Sequence, residues 1–253
     1  MAWPTRSQEV ELGRFHEPGD EAGASLPALV AIHDVWGPSE HSRALAADLA
    51  AEGFGVLEID LYRALGEVEI DDPGRFIRGL SDAEVLADLE AGARWLGQQP
   101  RCRGRKVGIV GVCMGGTFTL LAACLCEGFA AAAPFYGILS YEHGMLHDPE
   151  GRDRKKKPHS PLEVAERLRV PLLASFGEED GFVPLDDVAE LESALARSGR
   201  PFEVDRHAGA GHAFLNRTRE EAYHPEAAAA AWARIVPFLR GALDAEQRDA
   251  PDA

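Results

Sequence analysis

Apolar and amphipathic segments alternate along most of this chain, and their lengths separate strands from helices. Short runs of Val, Leu, Ile, Phe and Ala are typical of strands covered on both faces, whereas apolar residues that recur every three or four positions are typical of helices with one buried face. The predicted strands lie at residues 27–34, 54–61, 129–136, 170–176 and 202–207, and the predicted helices at residues 39–51, 81–98, 115–126, 161–168, 184–198 and 224–243. This order predicts an α/β fold with a mostly parallel sheet and helices on both faces, in which residues 1–253 form a single domain.

Several segments lie outside this alternation of strands and helices. Residues 8–15 alternate only loosely between apolar and polar positions and predict an edge strand, while the polar, Gly-rich residues 16–26 predict a loop. A polar connection follows the strand predicted at residues 54–61. The last ten residues are expected to be frayed.

Residues 138–160 interrupt the alternation with a long polar connection. A connection of this length in a compact domain is typically a functional lid or a disordered loop, so we expect a lid or long loop here. Its basic run, residues 154–157, is interpreted as a solvated loop, with a clamp for a substrate carboxylate as the alternative. The segment's histidines, His143, His147 and His159, lack the spacing of a supported zinc site, and no metal is expected.

Residues 106–116 hold the most informative local pattern. Their sequence predicts a short buried strand, a Gly-Val-Cys-Met-Gly turn and a helix that begins at Met114. This is the Gly-x-nucleophile-x-Gly turn of the α/β-hydrolases, with Cys113 where serine is usual. Gly111 and Gly115 remove the Cβ atoms that would collide across so sharp a turn. The free N–H groups at the helix start favour a thiolate at Cys113 and an oxyanion beside it.

A catalytic cysteine requires an imidazole that generates the thiolate and a carboxylate that orients the imidazole. In parallel sheets such groups lie just past the carboxyl ends of strands. Asp180 lies four residues beyond the strand predicted at residues 170–176, and its neighbours Glu178 and Glu179 are competing carboxylates.

Two histidines follow or end the last predicted strand. His212 lies beyond it, whereas the rival His207 still belongs to the strand, so His212 is preferred as the base. The order Cys113, Asp180, His212 along the chain is the nucleophile, acid, histidine order of the α/β-hydrolases.

Three segments together resemble the dienelactone hydrolase (carboxymethylenebutenolidase) family of the α/β-hydrolase superfamily. They read Gly-Val-Cys-Met-Gly-Gly, Phe-Gly-Glu-Glu-Asp-Gly-Phe-Val-Pro and Ala-Gly-His-Ala-Phe, and the resemblance runs from about residue 29 to residue 239. It implies an α/β-hydrolase fold, with Cys113 as nucleophile, Asp180 as acid and His212 as base.

The same resemblance assigns roles to the segment Ile-His-Asp-Val-Trp-Gly at residues 32–37. Asp34 stands where the family has a glutamate that interacts with the resting cysteine, although a solvated residue at a strand end is the alternative. The backbone N–H groups of Val35 and Met114 would form the oxyanion hole. Trp36 is either a hydrophobic wall near the nucleophile or a specific substrate contact.

The chain departs from the family pattern where a substrate carboxylate would bind. Family members use one arginine shortly after the histidine of the triad and another before the helix predicted at residues 81–98. The first position reads Asn216, with Arg217 next to it, and only Arg75 and Arg78 lie near the second. These differences concern the identity of the substrate and leave the hydrolytic chemistry unchanged.

Composition narrows the range of partners and compartments. The 253 residues include 42 acidic and 26 basic side chains, and the resulting net charge of −16 disfavours nucleic-acid binding. The N-terminal residues lack the pattern of a signal peptide, and no stretch is apolar for the length of a membrane span. The four cysteines show no disulfide spacing. We therefore expect a cytoplasmic protein that binds no membrane and exists as a monomer or small homo-oligomer.

Together these patterns predict a cofactor-independent hydrolase that cleaves small esters or lactones through a Cys-Asp-His triad and an acyl-thioester. A general carboxylesterase or thioesterase with the same triad is one alternative. A non-catalytic binding protein with the α/β-hydrolase fold is another.

Overall fold

The computed structural model describes residues 4–19 and 24–248, with side chains up to residue 244. The strands in this part of the chain are β1 (Thr5–Val10), β2 (Gly13–Pro18), β3 (Ala28–Ile32), β4 (Gly55–Ile59), β5 (Val107–Val112), β6 (Ala131–Phe135), β7 (Leu172–Gly177) and β8 (Phe202–His207). The α-helices are α1 (Glu40–Ala51), α2 (Pro73–Gly79), α3 (Asp82–Leu96), α4 (Met114–Leu125), α5 (Pro161–Val164), α6 (Leu185–Arg197) and α7 (Pro225–Arg248), with 3₁₀ turns at Gly144–Leu146 and Ala165–Arg167.

The described strands form one sheet in the order β1-β2-β4-β3-β5-β6-β7-β8. From β4 to β8 all neighbours are parallel, while β1 and β2 are antiparallel additions at one edge. The predicted α/β class and the mostly parallel sheet are confirmed. Because the parallel strands point the same way, the loops that follow β3, β5, β7 and β8 meet at one edge of the sheet.

Two apolar layers cover the faces of the sheet. Successive strand residues alternate between them, as Leu29 and Val30 do on β3. Helices α1 and α7 pack on the layer that contains Cys113, through Leu49 and Ile235 among others. Helices α3, α4 and α6 cover the opposite layer. This arrangement places helices on both faces, as the sequence pattern predicted.

The prediction of a single edge strand at residues 8–15 was wrong. The chain reverses within this segment and forms the β1–β2 hairpin. Gly13 makes this reversal possible: its φ is 140°, and a Cβ at this position would collide with the carbonyl oxygen of Glu58 on β4. The loop predicted at residues 16–26 therefore begins only after Pro18. Part of it, residues 20–23, lies outside the described residues.

Two helix boundaries also differ from the sequence prediction. Helix α2 lies in what was predicted as a polar connection, and its start is marked by the N-cap Asp72, whose side chain accepts a hydrogen bond from the Arg75 N–H, followed by Pro73. Helix α7 continues to Arg248, beyond the predicted end at residue 243. The remainder of the tail that was expected to fray, residues 249–253, lies outside the described residues.

Candidate active site

Cys113 lies in a strained turn between β5 and α4. Its backbone has φ 55° and ψ −119°, a left-handed conformation that side-chain-bearing residues rarely adopt. A Cβ on Gly111 would collide with the carbonyl oxygen of Gly115, and a Cβ on Gly115 would lie 2.5 Å from the carbonyl oxygen of Ile32. The turn therefore requires both glycines, as the sequence pattern indicated, and it presents Cys113 at the N-terminus of α4.

His212 and Asp180 are joined by a short hydrogen bond. His212 Nδ1 lies 2.8 Å from Asp180 Oδ2, and the Asp180 side chain is completely buried. The other carboxylate oxygen accepts hydrogen bonds from the backbone N–H groups of Phe182 (2.8 Å) and Val183 (3.2 Å). The carboxylate is thus fixed on both sides and determines which ring nitrogen of His212 remains free.

The free nitrogen of His212, Nε2, is buried and has no protein partner of ordinary hydrogen-bond geometry among the described residues. Burial lowers the pKa of His212, but the hydrogen bonds and negative charges of Asp180 and Cys113 outweigh it and raise this pKa to about 10. The raised pKa favours the imidazolium form of His212 at neutral pH.

The alternative candidates for the acid and the base differ from Asp180 and His212 in burial and contacts. Glu178 and Glu179 are exposed, whereas Asp180 is buried. His207 ends β8 and packs its ring 5.0 Å from that of Phe214, away from the carboxylate that holds His212, and burial lowers its pKa. The geometry thus favours Asp180 and His212 over their neighbours.

The loop after β3 approaches the nucleophile with Asp34, Val35 and Trp36. Asp34 is buried, not solvated, and its Oδ1 accepts a hydrogen bond from the Trp36 N–H at 2.9 Å. The backbone N–H groups of Val35 and Met114 donate to no acceptor among the described residues. Two unpaired donors at the ends of neighbouring strands are the kind of arrangement an oxyanion hole requires.

Tyr62 ties these two donor segments together, a contact the sequence pattern did not predict. Its hydroxyl donates to the carbonyl oxygen of Val35 at 2.9 Å and lies 3.3 Å from Met114 Sδ. Burial and the charges of Asp34 and Cys113 raise the pKa of Tyr62, so it stays a protonated donor. The sequence feature that could have identified Tyr62 is its position just past the carboxyl end of β4.

A second tyrosine, Tyr136, supports the imidazole. It follows β6 with φ 38°, and its ring packs edge-on against His212 with 5.1 Å between centroids. Burial and the charges of Cys113 and Asp34 raise its pKa well above the usual value. The aromatic wall restricts the position of His212 beside Cys113.

His33 is a structural histidine at the same edge. Its Nδ1 donates to the Asp34 carbonyl oxygen at 2.6 Å, and its Nε2 accepts from the Leu61 N–H at 3.2 Å. Burial lowers the pKa of His33, and this pairing requires the neutral ring. His33 joins the ends of β3 and β4 and thereby positions the loop that carries Asp34.

The long segment at residues 138–160 is anchored by a buried ion pair. Lys157 Nζ lies 2.5 Å from Asp82 Oδ1, and the Tyr141 hydroxyl donates to the same carboxylate. The lysine also lies over the Phe118 ring of α4, 5.1 Å from its centroid. Residues 154–156 of the basic run are therefore exposed, whereas Lys157 is buried in an ion pair. A lid role for the segment stays a prediction.

Comparison with known proteins identifies the family of this chain. The family model described as "Dienelactone hydrolase family" matches residues 16–243. The chain belongs to the dienelactone hydrolase family.

The similarity to individual proteins also extends over most of the chain. The chain is 31% identical over 218 residues to a "Probable 2-oxo-3-(5-oxofuran-2-ylidene)propanoate lactonase" of Bradyrhizobium sp, covering 85% of this chain and 84% of the relative. It is 30% identical over 230 residues to a "Putative carboxymethylenebutenolidase" of Synechocystis sp., covering 88% and 89%. The crystal structure titled "Putative Dienelactone Hydrolase" from Klebsiella pneumoniae superimposes with a TM-score of 0.81 at 26% identity, covering 94% of this chain and 98% of that one.

These findings confirm the predicted family, the α/β-hydrolase fold and the enzyme class, so the protein is a hydrolase of ester or lactone bonds. They do not bear on the roles of individual side chains, and the triad and the oxyanion donors remain predictions supported by the geometry above. Among the helices within the described ranges, none combines the length and apolarity that a membrane crossing requires.

Proposed function

We propose that this dienelactone hydrolase family member cleaves esters or lactones by covalent catalysis at Cys113, without a cofactor. The observation that carries the proposal is the hydrogen bond between His212 Nδ1 and Asp180, 2.8 Å long, which leaves the buried Nε2 of the ring free, together with the strained turn that presents Cys113 at the N-terminus of α4. A buried, oriented imidazolium beside a cysteine at a helix N-terminus provides both a thiolate nucleophile and a proton donor.

In the first half-reaction the Cys113 thiolate attacks the carbonyl carbon, and the oxyanion accepts hydrogen bonds from the N–H groups of Val35 and Met114. The tetrahedral intermediate collapses, the bond to the leaving oxygen breaks, and the His212 imidazolium gives that oxygen its proton. The product of this half-reaction is an acyl-thioester on Cys113 and a neutral imidazole held by Asp180.

The second half-reaction restores the resting state. His212 takes a proton from a water molecule, whose oxygen attacks the thioester carbonyl. Collapse releases the carboxylic acid and regenerates the Cys113 thiolate beside the His212 imidazolium. Thiolates are better leaving groups than alkoxides, so the first half-reaction favours substrates with good leaving groups, such as enol-lactones and aryl esters.

Substitution of the nucleophile tests this proposal. Cys113→Ala should lower kcat/KM for p-nitrophenyl acetate by more than about a thousandfold, since the covalent route is lost. Cys113→Ser should retain a small fraction of the activity, because the hydroxyl needs a far stronger base than the thiol does. Circular dichroism of both variants checks that the fold is unchanged.

Trapping the intermediate provides an independent readout. After rapid acid quenching, intact-protein mass spectrometry should show the wild-type chain increased by one acetyl group, and peptide mapping should place that group on Cys113. Turnover by Cys113→Ala at near wild-type rate would refute the covalent role. The binding-protein alternative is disfavoured by the family assignment, and the general esterase alternative differs from this proposal only in substrate.

A further inference from the structure

The two proposed oxyanion donors are fixed in different ways, and the Met114 N–H is fixed by the helix. This N–H shares a peptide unit with the carbonyl group of Cys113, whose oxygen accepts a hydrogen bond from the Thr117 N–H at 3.1 Å. In a planar trans peptide the N–H and the C=O point in opposite directions, so a fixed carbonyl also fixes the direction of the N–H. The first turn of α4 therefore aims the Met114 donor.

The Val35 donor lies outside the sheet and the helices, because residues 33–39 connect β3 to α1. The Val35 N–H shares a peptide unit with the carbonyl group of Asp34. That carbonyl oxygen accepts a hydrogen bond from His33 Nδ1 at 2.6 Å and a longer one, 3.3 Å, from the Gly37 N–H. A side chain thus does for this donor what the helix does for the other.

The His33 ring is itself held in one tautomer and one orientation. A carbonyl oxygen only accepts, so Nδ1 carries the hydrogen, and Nε2 accepts from the Leu61 N–H at 3.2 Å. The side chain is completely buried, and burial lowers its pKa, which favours the neutral ring. The Tyr62 ring packs edge-on against the imidazole with 4.7 Å between centroids. The donor to Asp34 is therefore in place before a substrate binds.

The Val35 donor is held close to the nucleophile turn. A Cβ on Gly115 would lie 2.7 Å from the carbonyl oxygen of His33, so the segment after β3 runs directly against the first turn of α4. The Tyr62 hydroxyl bridges the same two segments, since it donates to the Val35 carbonyl oxygen and contacts Met114 Sδ. Catalysis is sensitive to such placement: a displacement of about 1 Å costs about a hundredfold in rate.

We infer that His33 is a positioning residue of the proposed reaction, and that its bond to the Asp34 carbonyl oxygen aims the Val35 N–H at the oxyanion. This role rests on the proposed function, because the oxyanion forms only when Cys113 attacks an ester or lactone carbonyl. His33 acts through the peptide unit between Asp34 and Val35. It contributes to both half-reactions, since each develops negative charge on the carbonyl oxygen. Formation of the Cys113 thiolate does not depend on it.

His33→Phe removes both hydrogen bonds of the ring and keeps an aromatic side chain against Tyr62. The pre-steady-state rate of p-nitrophenolate release from p-nitrophenyl acetate should fall by about tenfold to a hundredfold. Alkylation of Cys113 by iodoacetamide, followed by peptide mass spectrometry, should keep its wild-type rate, because displacement of iodide at a saturated carbon forms no oxyanion. An equal loss in both rates would reveal general damage to the nucleophile and overturn the inference.

A pair of variants with nearly the same shape isolates the bond to Asp34. The amide nitrogen of His33→Asn lies where Nδ1 lay and can donate to the Asp34 carbonyl oxygen, whereas the side chain is too short to accept from the Leu61 N–H. His33→Leu lacks the donor altogether. Acylation should be faster in the Asn variant than in the Leu variant by about tenfold. Equal rates in the two would assign the effect to the Leu61 contact and overturn the positioning role, also if His33→Phe does not fold.

His16→Phe is the matched control, the same substitution at another buried histidine. His16 Nε2 bonds to the buried Glu58 at 3.2 Å, on β2, which β4 and β3 separate from β5. Urea denaturation should show a loss of stability in this variant, while its acylation rate stays that of the wild type. Slow acylation in His16→Phe to the extent seen in His33→Phe would attribute both effects to lowered stability.

Failure of the positioning role is separable from failure of the proposed function. Inactive Cys113→Ala together with unimpaired acylation in His33→Phe and His33→Leu would overturn the role of His33 alone. Turnover of p-nitrophenyl acetate by Cys113→Ala at near wild-type rate would refute the covalent mechanism itself, whatever the His33 variants show.

Discussion

At the scale of single residues, the pKa of His212 shows how its neighbours set the charge of the candidate site. Burial alone would make it a neutral imidazole with a lowered pKa, as it does for His33 and His207. The hydrogen bonds and charges of Asp180 and Cys113 reverse the direction for His212. The pKa of a histidine is thus raised at one position of this sheet edge and lowered at two others, according to the groups that surround each ring.

The raised pKa predicts how His212 titrates. Histidine-selective nitrogen NMR should show an imidazolium through neutral pH that loses its proton near pH 10. Asp180→Asn should move that transition to lower pH, because the amide removes the charge that raises the pKa. Turnover should decline as pH rises through the transition, since the leaving group loses its proton donor.

A control substitution at another histidine–carboxylate pair tests whether the effect on His212 is specific to Asp180. Asp187→Asn removes the carboxylate that binds a different histidine, His143, at 2.9 Å, and it should leave the His212 titration in place. Wild-type His212 titrating at the ordinary histidine pKa would contradict the thiolate–imidazolium pair.

At the scale of elements, the segment at residues 138–160 shows how a long polar connection acquires a fixed position. Lys157 and Asp82 are both almost fully buried, and their ion pair joins the segment to the start of α3. Burial lowers the pKa of Lys157 and raises that of Asp82, so each charge depends on the other for compensation. Arg152 adds bonds to Glu142 and Glu163 within the same region.

Removing one member of the buried pair should be costly. Lys157→Met is expected to lower the free energy of unfolding by about 3–5 kcal/mol, because Asp82 is left as an uncompensated buried charge. Urea denaturation followed by circular dichroism measures the change. Lys155→Met, at an exposed position of the same basic run, should have little effect.

A double variant distinguishes charge from packing. Lys157→Met combined with Asp82→Leu should recover most of the lost stability, since an apolar pair of similar volume replaces the ion pair. Equal stability of the single and double variants would show that the loss comes from packing of the lysine and not from the orphaned carboxylate.

At the scale of the whole molecule, the net charge of −16 acts on every approaching substrate. Long-range repulsion lowers the encounter rate of anions and is screened by salt, whereas neutral molecules are unaffected. The hydrolysis of p-nitrophenyl hemisuccinate should therefore accelerate as salt rises from about 10 mM to about 200 mM, over which the screening length falls severalfold. The rate with p-nitrophenyl butyrate, measured in parallel, should stay nearly constant; an equal salt effect on both esters would rule out this electrostatic explanation.

Local sequence was sufficient for most of the elements and for the nucleophile turn. The pattern at β5 and α4, with Gly111 and Gly115 on either side of Cys113, leaves few backbone solutions, because steric collisions exclude larger residues. The hairpin at Gly13 and the helix after Asp72 were missed, since the first depends on how closely β4 approaches and the second has only seven residues, too few to show a helical repeat of apolar positions.

The sequence by itself determined the α/β class, the strained turn at Cys113 and the order of the three candidate catalytic residues, because each element and each of the three motifs is formed by residues close together in the chain. The tertiary structure decided the rest. Tyr62 joins Val35 to Met114, and Lys157 pairs with Asp82, through contacts between segments far apart in sequence. No local pattern encodes such contacts, since only the packing of parallel strands and their helices brings these side chains to one edge of the sheet.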